Sequence, residues 1–118
     1  MDLLEYIKKH TIPFEDRVPD VEAEISFNKI KQRAVTNGYR PGHQIKDGYI
    51  TTGVHKYYYV DVVMPGETVL GTITFITPEV YPNTLWIGKE IGIYEGGRKV
   101  GVALITRIFN PILKLMDD

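Results

Sequence analysis

Apolar and polar residues alternate with a period of two along much of this chain, a pattern that is typical of β-strands. This alternation is clearest over residues 21–28, where it predicts a strand with one buried face. The apolar members of that strand are Val21, Ala23, Ile25 and Phe27. Five later runs, rich in β-branched and aromatic residues, are separated by Gly, Pro or Asn. They cover residues 49–54, 57–63, 68–76, 85–94 and 99–108.

Six short strands with little helix predict an all-β fold, either a closed barrel or a sandwich. We favour a six-stranded antiparallel closed β-barrel, because closure leaves no unpaired strand edge in a small domain. The chain has 118 residues, 43% of them apolar, which is enough for one hydrophobic core but not for two. We therefore expect a single barrel domain over residues 20–109, followed by a C-terminal tail over residues 110–118.

The first 19 residues have a different pattern. Asp2 and Glu5 have the spacing of a capping box, and Leu3, Leu4 and Ile7 fall on one face of a helix. The sequence therefore predicts a short N-terminal helix over residues 2–10. Such a short helix is marginally stable alone and must dock on another surface. Residues 1–19 as a whole are expected to form this helix and an irregular connector.

The charge of the chain limits the classes of partner. It carries 14 basic and 15 acidic residues, for a formal net charge of −1, so no global field attracts nucleic acid or an anionic membrane. Basic residues cluster in the segment 29–47, and any RNA binding would have to be local. No run approaches the ~18 apolar residues of a membrane span, and the N-terminus lacks the features of a signal peptide. A cytoplasmic location without membrane contact is expected.

The sequence contains no arrangement of residues that is typical of catalysis or metal binding. There is no G-x-x-x-x-G-K-[ST] loop to hold a nucleotide phosphate, which excludes GTP hydrolysis. The absence of cysteine excludes thiolate ligands and disulfides. His10, His43 and His55 lie too far apart in sequence for a helical metal motif, and we expect them on the solvated surface. The sequence thus predicts no enzyme, no catalytic residue, no metal and no other cofactor.

The most informative segment of the chain runs from residue 91 to residue 106. Its two alternating apolar strands are joined by Glu-Gly-Gly-Arg at residues 95–98, and a Gly-Gly pair between β-type runs predicts a hairpin. Upstream, Met-Pro-Gly-Glu at residues 64–67 predicts a second tight turn, because proline fixes one dihedral angle and glycine permits positive φ.

These two motifs occur together with Gly-Tyr-Arg-Pro at residues 38–41, Thr-Thr at residues 51–52 and Glu-Ala-Glu-Ile at residues 22–25. In this order they resemble the C-terminal (third) β-barrel domain of elongation factor Tu, over roughly residues 20–109. The resemblance implies the same barrel as a stand-alone domain, with a new N-terminal helix and without the GTPase domain. In that family the barrel packs on the second domain, contacts the GTPase domain, binds the exchange factor and touches the T-stem backbone of aminoacyl-tRNA.

The resemblance also implies a binding face, because residues 95 and 96 match hairpin positions that approach the T-stem. The residues expected on this face are Tyr39, Arg40, Gln44, Glu95, Gly96 and Arg98. Two features differ from the family: Gly42 replaces a glutamine that reaches tRNA, and about four additional residues lie around positions 46–49. Any tRNA contact is therefore expected to be weak and sensitive to salt.

Three functions are compatible with these features. The first is a non-catalytic binding module that resembles this barrel and contacts a protein or tRNA of the translation apparatus. The second is a molecular mimic or immunity-type protein that intercepts a ligand of elongation factor Tu. The third is a structural barrel that forms homo-oligomers and has no RNA role. A protein partner is expected for the first two, and neither GTP nor a membrane is expected for any of them.

Overall fold

The architecture is a closed antiparallel β-barrel. The computed structural model describes residues 2–4, 13, 16–31 and 33–116. The strands are β1 (Val21–Phe27), β2 (Val35–Thr36), β3 (Gly42–Lys46), β4 (Tyr49–Tyr57), β5 (Val62–Val63), β6 (Thr68–Phe75), β7 (Glu90–Glu95) and β8 (Arg98–Ile108). Six of them close the barrel in the order β1-β6-β4-β3-β7-β8, and β8 pairs again with β1. The predicted all-β closed barrel of six antiparallel strands is confirmed.

Short elements lie outside the barrel wall. Strands β2 and β5 pair with each other in a separate two-stranded sheet. Two 3₁₀ turns, at Pro78–Val80 and Pro111–Leu113, follow β6 and β8. The second turn packs against the segment before β7, where the N–H groups of Thr84 and Leu85 donate to the Leu113 carbonyl at 2.9 and 2.8 Å. The buried Leu113 side chain belongs to the same core as the strands.

The structure corrects the strand predicted over residues 57–63. β4 already ends at Tyr57, and the chain then turns at Tyr59, which has a φ of 64°. Only the two residues of β5 pair again, and their partner is β2 rather than a barrel strand. The sixth barrel strand is β3, within the basic segment 29–47, in which no strand was predicted. The predicted number of six barrel strands is therefore right, but the strand predicted over residues 57–63 is not one of them.

Two element boundaries also differ from the prediction. β7 begins at Glu90 and not at residue 85, because the preceding residues form a turn in which the Lys89 N–H donates to the Trp86 carbonyl at 3.1 Å. Residues 5–10 of the helix predicted over residues 2–10 lie outside the described residues, and so do residues 11, 12, 14 and 15 of the connector after it. The closure of the barrel depends on neither segment.

Strand β1 shows how the period of two produces the core. Its four apolar side chains are buried and the intervening ones are not, and it pairs with a neighbour on each side, β6 and β8. Each fully buried isoleucine or phenylalanine side chain stabilises the fold by about 1.5–3 kcal/mol relative to an exposed one. Large, fully buried apolar side chains of the core include Ile25, Ile45, Ile73, Phe75, Leu85, Ile91, Ile93, Ile105 and Leu113.

The two predicted glycine turns differ in what they connect. Residues 95–98 join β7 to β8 as a hairpin, with Glu95 opposite Arg98 and with Gly96 at a φ of 60°, which confirms the prediction. The turn at residues 64–67 also has its glycine, Gly66, at a positive φ of 88°. It joins β5 to β6, which belong to different sheets. It is therefore a tight turn but not a hairpin of paired strands.

Asp20 connects three strand ends where the barrel closes. Its side-chain oxygens accept hydrogen bonds from the Phe75 N–H at 2.7 Å and from the Asn110 amide at 2.8 Å. Its own N–H donates to the Ile73 carbonyl at 3.0 Å, and its carbonyl accepts from the N–H groups of residues 109 and 110. Burial raises the pKa of its carboxyl group. Asp20 thus links the beginning of β1 to the ends of β6 and β8.

We predict that Asp20→Ala lowers the free energy of unfolding by about 2–3 kcal/mol, because a buried N–H and a side-chain amide lose their acceptor. Urea unfolding followed by circular dichroism measures the difference. Glu24→Ala is the matched control, since Glu24 is an exposed carboxylate on β1 and its removal should cost less than about 0.5 kcal/mol. Equal effects of the two substitutions would contradict the role given to Asp20.

Candidate binding face

The Gly-Tyr-Arg-Pro segment, residues 38–41, runs beside β4 before β3 begins. The N–H of Gly38 donates to the His55 carbonyl at 2.9 Å, and the N–H of His55 donates to the Tyr39 carbonyl at 2.8 Å. A third bond joins the N–H of Gly53 to the Pro41 carbonyl at 3.2 Å. The backbone of the segment is therefore held along its length, and its side chains start from fixed positions.

Tyr39 joins this segment to the closing hairpin. Its hydroxyl donates to Glu95 Oε1 at 2.5 Å, and Lys31 Nζ lies 2.8 Å from the same oxygen. Lys31 Nζ also lies 5.3 Å from the centroid of the Tyr39 ring and donates to the Arg33 carbonyl at 2.8 Å. We call these three interacting side chains the Tyr39–Glu95–Lys31 cluster.

The cluster shifts the pKa values of Glu95 and Tyr39. Hydrogen bonds from Lys31 and Tyr39 hold the pKa of Glu95 below its usual value. Burial, together with the Glu95 carboxylate, raises the pKa of Tyr39. Glu95 therefore stays ionised and Tyr39 stays protonated at neutral pH. Because the Lys31 side chain is only 5% exposed, solvent screens this ion pair less than an ordinary surface pair.

Arg40, Gly96 and Arg98 are exposed on the two segments that the cluster joins. Arg40 directly follows Tyr39, and Arg98 lies opposite Glu95 across the hairpin turn. At Gly96, apart from its chain neighbours, no heavy atom lies within 4 Å of the position that a Cβ would take. The backbone of a partner can therefore approach the hairpin closely at this point.

Gln44 lies in a different place from the other predicted residues. It is half-buried on β3, and its Oε1 accepts a hydrogen bond from the Tyr94 hydroxyl on β7 at 3.1 Å. Its connection to the cluster is indirect, since Tyr94 directly precedes Glu95 in the sequence. The structure thus brings Tyr39 and Glu95 into contact and leaves Gln44 beside a separate groove.

The groove beside the cluster has a volume of about 360 Å³. Lys31, Tyr39 and Glu95 line part of it, and the segment 33–38 lines the rest. Lys31 was not expected as a site residue from the sequence, because it was one of several lysines and arginines in the segment 29–47. The local excess of positive charge was the only sequence signal that pointed to it.

The expectation that the histidines are solvated is wrong for two of the three. His43 on β3 and His55 on β4 are completely buried. Their Nε2 atoms lie 2.7 Å apart, and His55 Nδ1 lies 2.9 Å from the Tyr57 hydroxyl. A hydrogen bond between two ring nitrogens needs one donor and one acceptor, so at least one of the two rings is neutral. The third histidine, His10, lies outside the described residues.

Burial determines the protonation of this histidine pair and the packing around it. It lowers the pKa of His43 to about 4, and it lowers the pKa of His55 well below its usual value. The Tyr39 ring centroid lies 5.5 Å from that of His55 and 5.9 Å from that of Phe27. Both ring pairs are T-shaped, a favourable aromatic arrangement. The barrel interior therefore supports the Tyr39 ring of the cluster.

The Glu22 carboxylate, which could act as an acid or a base, instead forms hydrogen bonds within the barrel wall. Glu22 on the outer face of β1 accepts hydrogen bonds from the Tyr58 and Thr106 hydroxyls at 3.1 and 2.8 Å.

Among the described residues, no group of three or more histidine, cysteine or acidic side chains is arranged to hold a metal ion. In the part of the chain that the structure describes, no helix has the length and apolar character needed to cross a membrane.

No protein-family model matches this chain. The closed six-stranded barrel is compatible with a barrel domain, and it does not link the chain to elongation factor Tu in particular. A barrel of this kind hosts many functions and does not by itself identify one. The function therefore has to be argued from the side chains on its surface.

We predict that Tyr39→Phe raises the pKa of Glu95 toward its usual value, because the carboxylate loses one of its two hydrogen-bond donors. The free energy of unfolding should fall by about 1 kcal/mol. Carbon-13 NMR titration of the Glu95 carboxyl measures the first effect, and urea unfolding measures the second. Tyr58→Phe, which removes a tyrosine hydroxyl from Glu22, should leave the pKa of Glu95 unchanged. An unchanged pKa in Tyr39→Phe would show that the hydroxyl does not stabilise the carboxylate.

We also predict that the protein loses stability as the pH falls from about 6.5 toward 4. The lowered pKa values keep His43 and His55 neutral in the folded state, whereas the unfolded chain binds protons at the ordinary histidine value of 6.5. The unfolded state binds more protons in this window, so the free energy of unfolding decreases. His43 alone accounts for up to about 3 kcal/mol of this decrease at the acid end. Urea unfolding at a series of pH values measures the slope.

The lowered pKa of Glu95 also reduces stability in acid, but only as the pH falls below the ordinary glutamate value of 4.5. The Glu95→Gln variant lacks this contribution, and it should still lose the stability that the histidine pair causes to be lost between pH 6.5 and 4.5. A free energy of unfolding that stays constant from pH 6.5 to 4.5 would contradict a buried neutral histidine pair.

Proposed function

We propose that this chain is a non-catalytic binding module of the translation apparatus, similar to the third domain of elongation factor Tu. Its binding face consists of the closing hairpin and the Gly-Tyr-Arg-Pro segment. The observation that carries the proposal is the Tyr39–Glu95–Lys31 cluster. The cluster joins the two segments that the resemblance assigns to partner contact. If these segments were only turns with separate structural roles, no link between their side chains would be needed.

The charges on this face favour contact with a phosphate backbone. Lys31 pairs with the Glu95 carboxylate, which leaves the exposed guanidinium groups of Arg33 and Arg98 close to a hairpin whose acidic residue is neutralised. Arginine can donate two parallel hydrogen bonds to phosphate oxygens. The open backbone at Gly96 gives a sugar-phosphate strand room to approach. Because the net charge of the chain is −1, this attraction is local and falls with salt.

Aminoacyl-tRNA is accordingly the first partner to test, and a protein of the translation apparatus is the second. The same tyrosine and arginine side chains suit a protein interface, because they combine contact area with directional hydrogen bonds. A mimic of elongation factor Tu would use this face to bind a protein ligand of that factor. An experiment in which this chain and elongation factor Tu compete for the same protein ligand therefore distinguishes a mimic from a module that has its own partner.

Aminoacyl-tRNA should bind the protein at low ionic strength, and the double variant Arg33→Ala with Arg98→Ala should bind about tenfold more weakly. The dependence of log Kd on log salt should also become less steep, by about one for each arginine–phosphate pair that the substitutions remove. Filter binding over a series of salt concentrations measures both effects. Arg107→Ala is the matched control, because Arg107 is exposed on β8 and packs over Phe109 at 5.2 Å.

Affinity capture from ribosomal extract, with the same variants, tests for a protein partner. Retention of neither tRNA nor a translation protein at low salt would overturn the proposal. If the chain displaces elongation factor Tu from a protein ligand without binding tRNA, the mimic is the correct function.

A further inference from the structure

A second groove lies on the outer surface of β3, β7 and β8. It has a volume of about 590 Å³, within the range of about 300–1,000 Å³ that is typical of small-ligand sites. Its side chains come from β3 and the turn after it, from the loop before β7, and from β7 and β8. This groove lies apart from the one beside the Tyr39–Glu95–Lys31 cluster, and the two share no lining residue.

The floor of the groove includes Gly92 on β7, where the strand has no outer side chain. A Cβ at this position would lie 2.8 Å from Tyr94 Cε2 and 3.4 Å from Lys99 Cε, so these two side chains lie close to the glycine. The Tyr94 hydroxyl donates to Gln44 Oε1 at 3.1 Å. That bond uses the carbonyl oxygen of Gln44 and leaves its amide N–H groups to donate to a ligand.

Trp86 and Lys89 form one wall of the groove. Trp86 is 46% exposed, and Lys89 Nζ lies 4.5 Å from the centroid of its ring system. Lys89 is fixed in this position because its Nζ donates to the carbonyls of Ile45 at 2.8 Å and Thr84 at 2.7 Å. The wall therefore presents a partly exposed indole ring with an immobilised ammonium group over one of its faces.

Three lysines line the groove: Lys46, Lys89 and Lys99. Within the described part of the chain, no carboxylate lies within 4.0 Å of any of their ammonium groups. Asp47 and Glu90 also line the groove. Burial lowers the pKa of Lys89, and the Asp47 carboxylate acts on it in the opposite direction. Three positive charges thus face two negative ones without direct pairing, which favours an anionic ligand.

We infer that this groove binds a nucleoside phosphate, either as a free nucleotide or as an unpaired nucleotide of single-stranded RNA. The base stacks on the Trp86 ring, since every base has a face that can stack on an aromatic side chain. The phosphate is attracted by Lys46 and Lys99, because lysine binds phosphate as a point charge. Double-stranded RNA does not fit this site, because neighbouring pairs cover the faces of its bases.

Trp86 is the only tryptophan of the chain, so its fluorescence reports directly on this wall. Adenosine 5′-monophosphate and a single-stranded oligoadenylate should quench that fluorescence in a saturable way. The quenching should weaken as the salt concentration rises, because phosphate contacts release bound counterions. An RNA duplex of the same length should not quench the fluorescence.

Two sets of variants test which side chains are responsible. The double variant Lys46→Gln with Lys99→Gln should weaken binding of both ligands about tenfold and reduce its salt dependence. Lys56→Gln removes the same charge from an exposed position on β4, outside the groove, and should not change binding. Trp86→Leu should weaken binding of a labelled oligoadenylate about tenfold, measured by fluorescence anisotropy, whereas Trp86→Phe keeps a stacking ring and should retain most of the affinity.

The pattern of affinities identifies the source of the nucleotide. Tighter binding of oligoadenylate than of the mononucleotide indicates single-stranded RNA, and equal affinities indicate a free nucleotide; both outcomes support the site. Absence of quenching at millimolar ligand, equal weakening by Lys56→Gln, or preference for the duplex overturns it. The double variant Arg33→Ala with Arg98→Ala should leave the quenching unchanged, so failure of this site is separable from failure of the hairpin face.

Discussion

Closure of the barrel is the constraint on which the rest of this structure depends. Strand β1 forms antiparallel ladders with β6 on one side and with β8 on the other. A one-residue slip in either register would turn every apolar side chain of β1 from the inside to the outside. Because each strand of a closed barrel needs two neighbours, the chain must also supply a strand between β4 and β7. β3 takes that place despite its polar composition.

The position of β3 determines what lies on each side of the barrel wall. His43 and Ile45 are buried, whereas Gln44 between them is only half-buried. A histidine that cannot reach solvent needs a polar partner, and His55 on β4 provides one. His55 in turn packs against the Tyr39 ring. Hydrogen bonds inside the barrel therefore help to fix the geometry of the cluster on its surface.

Local patterns predicted the parts of the fold that neighbouring residues determine, such as the alternation of β1 and the Gly-Gly turn at residues 96–97. β3 was missed because its buried histidine owes its burial to a partner twelve residues away. The Asp-Gly pair at residues 47–48, with Gly48 at a φ of 74°, was the available hairpin signal. The contact between Tyr39 and Glu95 spans 56 residues, so the resemblance could indicate both residues but not their hydrogen bond.

The two proposed sites lie on one continuous sheet, which limits how each can influence the other. β7 carries Glu95 of the cluster and Gly92 of the groove floor, and Tyr94 between them donates to Gln44 on β3. A closed barrel has no edge strand that can shift, so the six barrel strands that the structure describes offer no two-state element through which binding at one site could rearrange the other. Coupling would therefore require a ligand that reaches both places. The affinity of such a ligand would increase through tethering rather than through a change in the conformation of the barrel.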